Sequence, residues 1–400
     1  MNISKLLSTR VRNIKINPFL EDLTAQNNFL HSQINDKKIL VIGGAGTIGS
    51  SYIKQILKYK PSKITVVDIN ENGLTELTRD LRSSNLLDYN PAYITYPVNL
   101  LSDTFDKIFN SHKWDIVANF SAHKHVRSEK DSISVEALIK NNVFGAIKLL
   151  NFCELNQPKY FFSVSTDKAA NPVNIMGASK SLMEKLILSK KNSFRVSTAR
   201  FANVAFSNGS LLHGFEFRLQ KLQPLSVPSD IKRFFVTAKE AGIICLFSAL
   251  LGERHEIFFP YNEDEISLRK FIDIAHQFLK SVGREGVECT SENEARELIK
   301  SIDLDRYWPI NVFETDTVGE KAFEEFYTSS EQVSYGKFRD LASVKFESDI
   351  SKSELISFKS AVQQVNLQRP EARQELLELM SMFVPTFKHI YSDKNLNMRM

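Results

Sequence analysis

Cysteine is scarce in this chain of 400 residues. Cys153, Cys245 and Cys289 stand far apart, and no Cys-x-x-Cys pair exists, which argues against a disulfide framework, a zinc site or a redox couple. No bound metal is expected. Long apolar runs are missing as well. No stretch approaches the roughly 18 apolar residues of a membrane span, and the first twenty residues lack the continuous apolar core of a secretion signal. Charge of one sign is also lacking. Lys and Arg number 51 against 47 Asp and Glu, leaving a net +4 with no dense basic block, which argues against nucleic acid as a partner. No internal repeat or low-complexity tract stands out. What remains is a chain with 42% hydrophobic residues, ample for a sizeable core, read as a soluble protein of the cytoplasm without membrane insertion.

Strands and helices alternate through its first half. Lys38–Ile42 is a short apolar run that reads as a buried strand. Further strands are expected over 64–68, 92–98, 115–120, 160–165 and 195–200, and helices over 47–58, 135–155 and 177–190. Such alternation argues an α/β chain with a parallel, doubly wound sheet and right-handed crossovers. After residue 205 the pattern loosens, with Pro224, Pro228 and Pro260 between short strands and a helix near 239–251. Residues 350–400 read as mostly helical, from Leu355, Phe358, Val362 and Val365 and then Leu376, Leu377, Leu379 and Met380. The division expected is a helical arm over 1–36 (apolar at Leu6, Leu7, Val11 and Ile14), a cofactor domain over 37–205, a smaller substrate lobe over 206–335 and a helical extension over 336–400.

Between the first strand and the first strong helix lies Gly43-Gly44-Ala45-Gly46-Thr47-Ile48-Gly49. Gly43 permits a tight turn, Gly46 lets backbone approach a pyrophosphate, and Gly49 lets helix and strand close on each other. The helix start, with Thr47 and Ile48, offers N–H groups and a positive dipole end to phosphate. Asp68 ends the next strand, where a carboxylate accepts from a ribose diol and repels a 2′-phosphate. A Rossmann-type dinucleotide site for NAD, in preference to NADP, is therefore expected. Its Gly-x-x-Gly-x-x-Gly spacing resembles the extended short-chain dehydrogenase/reductase superfamily.

The stretch from Ser165 to Lys180 opens at the carboxyl end of a strand, where open α/β sheets bind ligands. Thr166, Asp167 and Lys168 bring a hydroxyl, a carboxylate and an ammonium in succession. Met176 and Lys180 are one helical turn apart and can face the same cleft. In the superfamily this turn carries Tyr-x-x-x-Lys, and here Met176 holds the Tyr position with no proton to exchange.

The whole segment closely resembles the CapD-like polysaccharide-biosynthesis family of nucleotide-sugar 4,6-dehydratases, over roughly three quarters of the chain. Asn119 to Val126, Asn142-Val143-Phe144-Gly145, Arg200 to Val204, Arg233 to Thr237 and Gly319-Glu320-Lys321 look like its ordered motifs. Met in place of Tyr resembles its configuration-retaining UDP-N-acetylglucosamine branch. That resemblance implies hydride transfer from C4 to NAD, loss of water across C5 and C6, and return of the hydride to C6, so that NAD is regenerated and the enzyme is formally a lyase. It implies that Thr166 bonds the C4 oxygen, Lys168 is the base at C5, Asp167 protonates the leaving C6 hydroxyl and Lys180 positions the ribose. Asp167 or an ordered water would accept the C4 proton. Asn99, where the family has Asp, and Ser121 would complete the cofactor site, and Lys124, Asn203 and Arg233 would contact the UDP-sugar. His123 and His125 are read as structural. Ala202 replaces a family Gly, Thr317-Val318 replaces Arg-Pro, and residues 285–316 match poorly. A GDP-N-acetylglucosamine dehydratase and a nucleotide-sugar 4- or 5-epimerase of the same fold stand as alternatives. A homo-oligomer, dimer or higher, is expected to pair through the helices over 135–155 and 177–190.

Overall fold

The computed structural model describes residues 19–189, 193–201, 203–261, 268–315, 324–348 and 350–390, apart from the side chains of Arg127, Ser128 and Lys352. Among the described residues, fifteen strands follow one another: β1 Lys38–Ile42, β2 Lys63–Asp68, β3 Ala92–Pro97, β4 Ile116–Asn119, β5 Tyr160–Thr166, β6 Arg195–Phe201, β7 Asn203–Val204, β8 Leu225–Pro228, β9 Lys232–Val236, β10 Glu256–Pro260, β11 Leu268–Lys270, β12 Glu285–Cys289, β13 Tyr307–Phe313, β14 Val333–Ser334 and β15 Leu341–Lys345.

Nine of them form one sheet in the order β14-β15-β10-β6-β5-β4-β1-β2-β3. The run from β3 to β10 is parallel, and β15 and then β14 close the edge antiparallel. The 3-2-1-4-5-6 order is that of a Rossmann sheet, and its direction reverses between β1 and β4. Along β1 the side chains alternate as a strand's must. Leu40 and Ile42 enter the core on one face of the sheet, and Ile39 and Val41 the core on the other. Helices Thr47–Ile56, Glu71–Ser83 and Ala238–Leu251 cover the second face, and Asp103–Asn110, Gly145–Asn156 and Ile175–Ile187 the first.

The sheet does not end at residue 205, where the sequence pattern closes the cofactor domain. The substrate lobe is an excursion after β6, and the chain returns through helix Ala238–Leu251 to lay β10 beside β6 and β15 beside β10. Residues 336–400 therefore supply a strand of the main sheet as well as helices. The lobe has its own apolar core, built around Phe215, Phe278 and Trp308, and two small sheets, β11-β9-β7 and β12-β13-β8. Within the poorly matched stretch over 285–316, residues 285–313 form a strand–helix–strand unit: β12, helix Glu292–Leu298 and β13, with β12 and β13 extending β8 in parallel.

At the amino end, helices Leu20–Ala25 and Asn27–Ile34 dock Phe19, Leu30 and Ile34 into the second core. The arm's expected apolar positions, Leu6, Leu7, Val11 and Ile14, lie outside the described residues. At the other end, helices Lys352–Gln364 and Ala372–Phe383 press Phe358, Val362, Leu376, Leu377 and Met380 into the first core.

This docking covers one of the two helices expected to pair with a second copy. Of the 13 residues of helix Ile175–Ile187, all but Lys185 are buried within a single chain, and Lys185 Nζ donates to the Phe383 carbonyl at 2.9 Å. The chain's own carboxyl-terminal helices thus cover part of the apolar face of this helix. Continuing past those helices, the backbone N–H groups of Lys388 and Ile390 donate to the carbonyls of Pro172 and Val173, so the extension also clasps the loop leading into helix Ile175–Ile187. Among the described residues, no helix is long and apolar enough to cross a membrane.

Leu376 is fully buried at this contact. Leu376→Ala is expected to cost about 2–5 kcal/mol through lost transfer free energy and the cavity left behind. The denaturant midpoint checks this, and an unchanged midpoint would mean that the helix is not docked.

Candidate active site

The glycine turn separates its glycines by what each must avoid. Gly43 adopts φ +73°, and a Cβ there would lie 2.5 Å from Ser121 N and 2.6 Å from the Phe120 carbonyl carbon. A Cβ at Gly49 would press on the Gly43 carbonyl oxygen and lie 2.9 Å from Gly44 Cα. These two glycines are required by the chain's own packing. Gly46 is not: its Cβ would meet nothing closer than Gly43 O at 3.5 Å, an ordinary contact. The space in front of Gly46 opens at the start of helix Thr47–Ile56, as a phosphate cradle requires.

Asp68 is bound to this turn. Its Oδ2 accepts from the Ala45 N–H at 2.9 Å and its Oδ1 from the Asn70 N–H at 2.9 Å. The cap of the following helix is Asn70, whose Oδ1 accepts from Gly73 N–H, so Asp68 is not spent as a helix cap. Thr47 Oγ1 accepts from the Asn208 N–H at 2.9 Å, and Lys124 Nζ donates to the Asn208 carbonyl at 2.7 Å. Thr47 and Lys124 thereby meet on one lobe loop. Ile48 packs partly buried on the second core. Ser121 is fixed by its Oγ, which donates to Asn119 Oδ1 at 2.7 Å. Asn99 is exposed, and its Oδ1 accepts from the Leu101 N–H at 2.8 Å.

Thr166, Asp167 and Lys168 sit where β5 ends. Thr166 Oγ1 donates to Asp167 Oδ1 at 2.8 Å, and Lys168 Nζ lies 3.2 Å from each Asp167 oxygen. Gly177 explains how helix Ile175–Ile187 comes so close: a Cβ there would lie 2.5 Å from the Lys168 carbonyl oxygen. Asn174 caps that helix by accepting from Gly177 N–H at 2.7 Å. Met176 is buried in the first core. Lys180 is buried too, and its Nζ donates at 3.0 Å to Met183 Sδ, a weak acceptor for an ammonium with three N–H groups. Burial pulls its pKa down to about 8, against the neighbouring Glu184 carboxylate. A buried ammonium so poorly matched within the chain suits a ligand hydroxyl, and with the Gly46 cradle and Asp68 it makes the residues present fit a dinucleotide.

Two residues to which the sequence reading gave no role in the site hold it together. Asn142 lies in a π-turn, Lys140–Phe144, that interrupts the helix expected over 135–155. π-Turns inside helices gather at functional sites. The Asn142 side chain accepts from His123 N–H at 2.8 Å and donates to the His123 carbonyl at 3.0 Å and to Ser179 Oγ at 2.9 Å, tying the 121–125 segment to helix Ile175–Ile187. Burial lowers the pKa of the His123 ring.

Glu324 is the second. Its Oε1 accepts from Asn203 Nδ2 at 2.5 Å and its Oε2 from the Phe234 N–H at 2.8 Å. Asn203, expected to contact substrate, thus spends this N–H on Glu324. Arg233 is buried beside Phe234 and donates from Nη1 to the Lys232 carbonyl at 3.1 Å. Burial, and then the Asp167 carboxylate, push the Glu324 carboxyl up to about 7, opposed by the Phe234 N–H, Arg233 and Lys168. Ala202, Thr317-Val318 and Gly319-Glu320-Lys321 lie outside the described residues. Among those described, no three His, Cys, Asp or Glu side chains are grouped to hold a metal ion.

The sequence profile of a family described as "Polysaccharide biosynthesis protein" matches residues 39–345. The chain is 35% identical over 232 residues to an uncharacterized membrane protein of Methanocaldococcus jannaschii, covering 56% of this chain and 66% of that one. It is 28% identical to the capsular polysaccharide biosynthesis protein CapD of Staphylococcus aureus, covering 68% of this chain but only 45% of the relative. It is also 28% identical to an inverting UDP-N-acetylglucosamine 4,6-dehydratase of Campylobacter jejuni, with 67% and 79% of the two chains covered. The chain thus spans about half of CapD and two thirds of the archaeal relative. Among solved structures, Pen of Bacillus thuringiensis shares the fold with a TM-score of 0.61 at 24% identity, over 78% of this chain and 90% of that one.

The glycine geometry separates two substitutions. Gly46→Ala is expected to leave thermal stability unchanged and to weaken dinucleotide binding at least tenfold, about 1.4 kcal/mol. Gly49→Ala is expected to lower the melting temperature itself. Calorimetric titration with NAD and thermal unfolding check the pair; equal binding by Gly46→Ala would remove the cradle.

Proposed function

The chain belongs to the polysaccharide biosynthesis protein family, and on that premise we propose that it is a nucleotide-sugar 4,6-dehydratase that converts UDP-N-acetylglucosamine to a UDP-4-keto-6-deoxy sugar for bacterial surface glycans, by the configuration-retaining route. The observation that carries this reading is the trio Thr166, Asp167 and Lys168 at the end of β5, set against buried Lys180, with Met176 lying in the apolar core where a redox tyrosine would stand.

NAD is the cofactor proposed, with Asp68 supporting it over NADP; when bound, it takes a hydride from the sugar and returns it within one turnover. Gly43, Gly46, Thr47, Ile48 and Gly49 would hold its pyrophosphate at the helix start, Asp68 its adenosine ribose, Asn99 and Ser121 its flanks, and Lys180 its nicotinamide ribose. Lys124, Asn203 and Arg233 would border the nucleotide sugar. In the substrate, a ketone at C4 acidifies the C5 proton. Lys168 Nζ is the amine available at the end of β5 to take that proton, which requires it first to release its own. Asp167, already within 3.2 Å of that amine, is the group that can exchange a proton with it and pass one to the leaving C6 oxygen. Thr166, whose hydroxyl now donates to Asp167, can turn to the C4 oxygen.

The curated relatives also include UDP-glucose 4-epimerases of Rickettsia at 26% identity. A C4 epimerase must remove and restore a proton at the C4 hydroxyl, for which Met176 is unsuited, and it has no use for a lysine at C5. The dehydratase is therefore the reading kept.

Incubation with UDP-N-acetylglucosamine, followed by NMR, is expected to show loss of the C6 hydroxymethyl signals and a new methyl doublet. A C4-epimerised hexose, or no change, would reject the proposal, and a parallel incubation with GDP-N-acetylglucosamine identifies the nucleotide. Lys168→Ala is expected to reduce the rate by about 10²–10⁴-fold while NAD binding is retained; normal product release by this variant would sink its role as base.

A further inference from the structure

Strands β9 and β11 pair antiparallel in a register that sets cation against cation. Lys232 stands opposite Lys270, and Arg233 opposite Arg269. Like charges directly opposite on neighbouring strands are destabilising. The two pairs meet that cost differently, because successive side chains of a strand leave by opposite faces. Lys232 and Lys270 are exposed, and water weakens their repulsion. The arginines are on the other face. Arg233 is buried, and Arg269 is partly buried with its Nε shut away from water.

Arg269 is not offset from within the fold. Its Nε has no hydrogen-bond partner, and among the described residues its guanidinium is in no ion pair. A guanidinium carries five N–H donors in a planar fork, and a buried charged donor left without an acceptor is costly. Glu324, which reaches this sheet, is already engaged: its oxygens accept from Asn203 Nδ2 at 2.5 Å and from the Phe234 N–H at 2.8 Å. A pairing held against its own electrostatics is the kind of local conflict that functional sites retain.

The same register says where these cations lie. β7 pairs with β9 through Asn203 and Phe235, and Phe235 is two residues from Arg233. Asn203, Arg233 and Arg269 therefore project from one face of the β11-β9-β7 sheet. With strands about 4.8 Å apart, the three line a strip roughly 10 Å wide. β7 begins two residues beyond the end of β6, whose Phe201 pairs with Thr166. The strip thus starts close to the trio at the end of β5, with the guanidiniums one and two strands beyond Asn203. A nucleotide sugar has its parts in a matching order: the sugar, then two linked phosphoryl groups.

Resting on the nucleotide-sugar reading, we propose that Arg269 is a substrate-binding residue: with Arg233 opposite it, it clamps the diphosphate of the nucleotide sugar between two guanidiniums. Each guanidinium fork matches two phosphate oxygens, which a lysine's point charge does not. The repulsion between the two cations becomes attraction to a shared anion. Lys232 and Lys270, on the opposite face, take no part.

The test uses the full chain with NAD in excess, so that the Gly46 cradle is filled and added phosphates report on the lobe. In calorimetric titration with UDP, the dissociation constant of Arg269→Gln is expected to rise about tenfold or more over wild type, with NAD affinity unchanged. Arg269→Lys, which keeps the charge without the fork, is expected to fall between the two. In thermal unfolding, inorganic pyrophosphate is expected to raise the melting temperature of wild type and to raise that of Arg269→Gln by less. At low salt without added phosphate, Arg269→Gln is expected to melt no lower than wild type, because it removes one of two opposed cations. An unchanged UDP dissociation constant overturns the proposal. So does a variant that melts lower without phosphate, since the guanidinium would then be serving the fold. The two readings fail separately. If Arg269→Gln weakens UDP but wild type turns over no nucleotide sugar, the dehydratase reading falls and the clamp stands. If product forms and Arg269→Gln binds UDP as tightly as wild type, the clamp falls and the dehydratase reading stands.

Discussion

Arg200 is the constraint on which the arrangement of the site depends. It stands near the end of β6 with its guanidinium buried, and the chain surrounds it with acceptors. Nε and Nη2 donate to Glu184 at 3.0 and 2.8 Å, Nη1 and Nη2 to Glu331 at 2.9 Å each, and Nη1 also to the Phe326 carbonyl at 2.8 Å. Burial works against its charge, and Glu184 and Glu331 outweigh that, so it stays protonated. A buried ion network of this kind is a weak source of net stability, but it is unforgiving. Any partner withdrawn leaves a charge uncompensated in a low-dielectric interior. Each acceptor therefore fixes the position of a segment. Glu184, which also accepts from Ser165 Oγ at 2.6 Å, locks helix Ile175–Ile187 onto β5 and sets Lys180 one turn away. Glu331 and Phe326 bring back the stretch that carries Glu324. Strand β5, helix Ile175–Ile187 and the returning stretch over 326–331 thus meet on one cation.

Around that anchor, the site is assembled from parts that share little sequence. The glycine turn is closed by backbone contacts between Gly43 and the 120–121 segment and between Gly49 and the turn itself. Asn142 brings the 121–125 segment to Ser179, and the carboxyl-terminal extension holds the 172–173 loop from outside. None of these contacts touches a proposed reacting group. Each removes a degree of freedom from one that does, which is how a site on loops is held to the tolerance that chemistry needs.

Much of the fold was legible from periodicity. The strands from β1 to β6 and the helices expected over 47–58, 135–155 and 177–190 followed from short apolar runs and 3.6-residue spacing, because those signals are set by neighbours in sequence. The sheet's last strands were not legible. Glu256–Pro260 and Leu341–Lys345 are short, and nothing local says that they return to a sheet left at β6. The carboxyl-terminal helices were read as helices, but not as the cover of helix Ile175–Ile187, since an apolar stripe does not name the surface that it meets. At the site, Thr166, Asp167, Lys168, Met176 and Lys180 were legible because they lie within fifteen residues and the resemblance gave them roles. Glu324 was silent in the sequence. It lies 121 residues from its partner Asn203, and one glutamate in a charged stretch looks like any solvated acid.

The sequence by itself determined the glycine turn, the acid after it, the hydroxyl–carboxylate–ammonium trio and the aprotic residue in place of tyrosine. These are choices of chemical group at fixed local spacing, and backbone geometry carries them into any fold of this class. Only the tertiary structure decided which groups share a charge environment. Glu324 on Asn203, Glu184 and Glu331 on Arg200, and the covered face of helix Ile175–Ile187 all join segments far apart in the chain. Desolvation and Coulomb interaction depend on distance in space, and no spacing along the sequence encodes that distance.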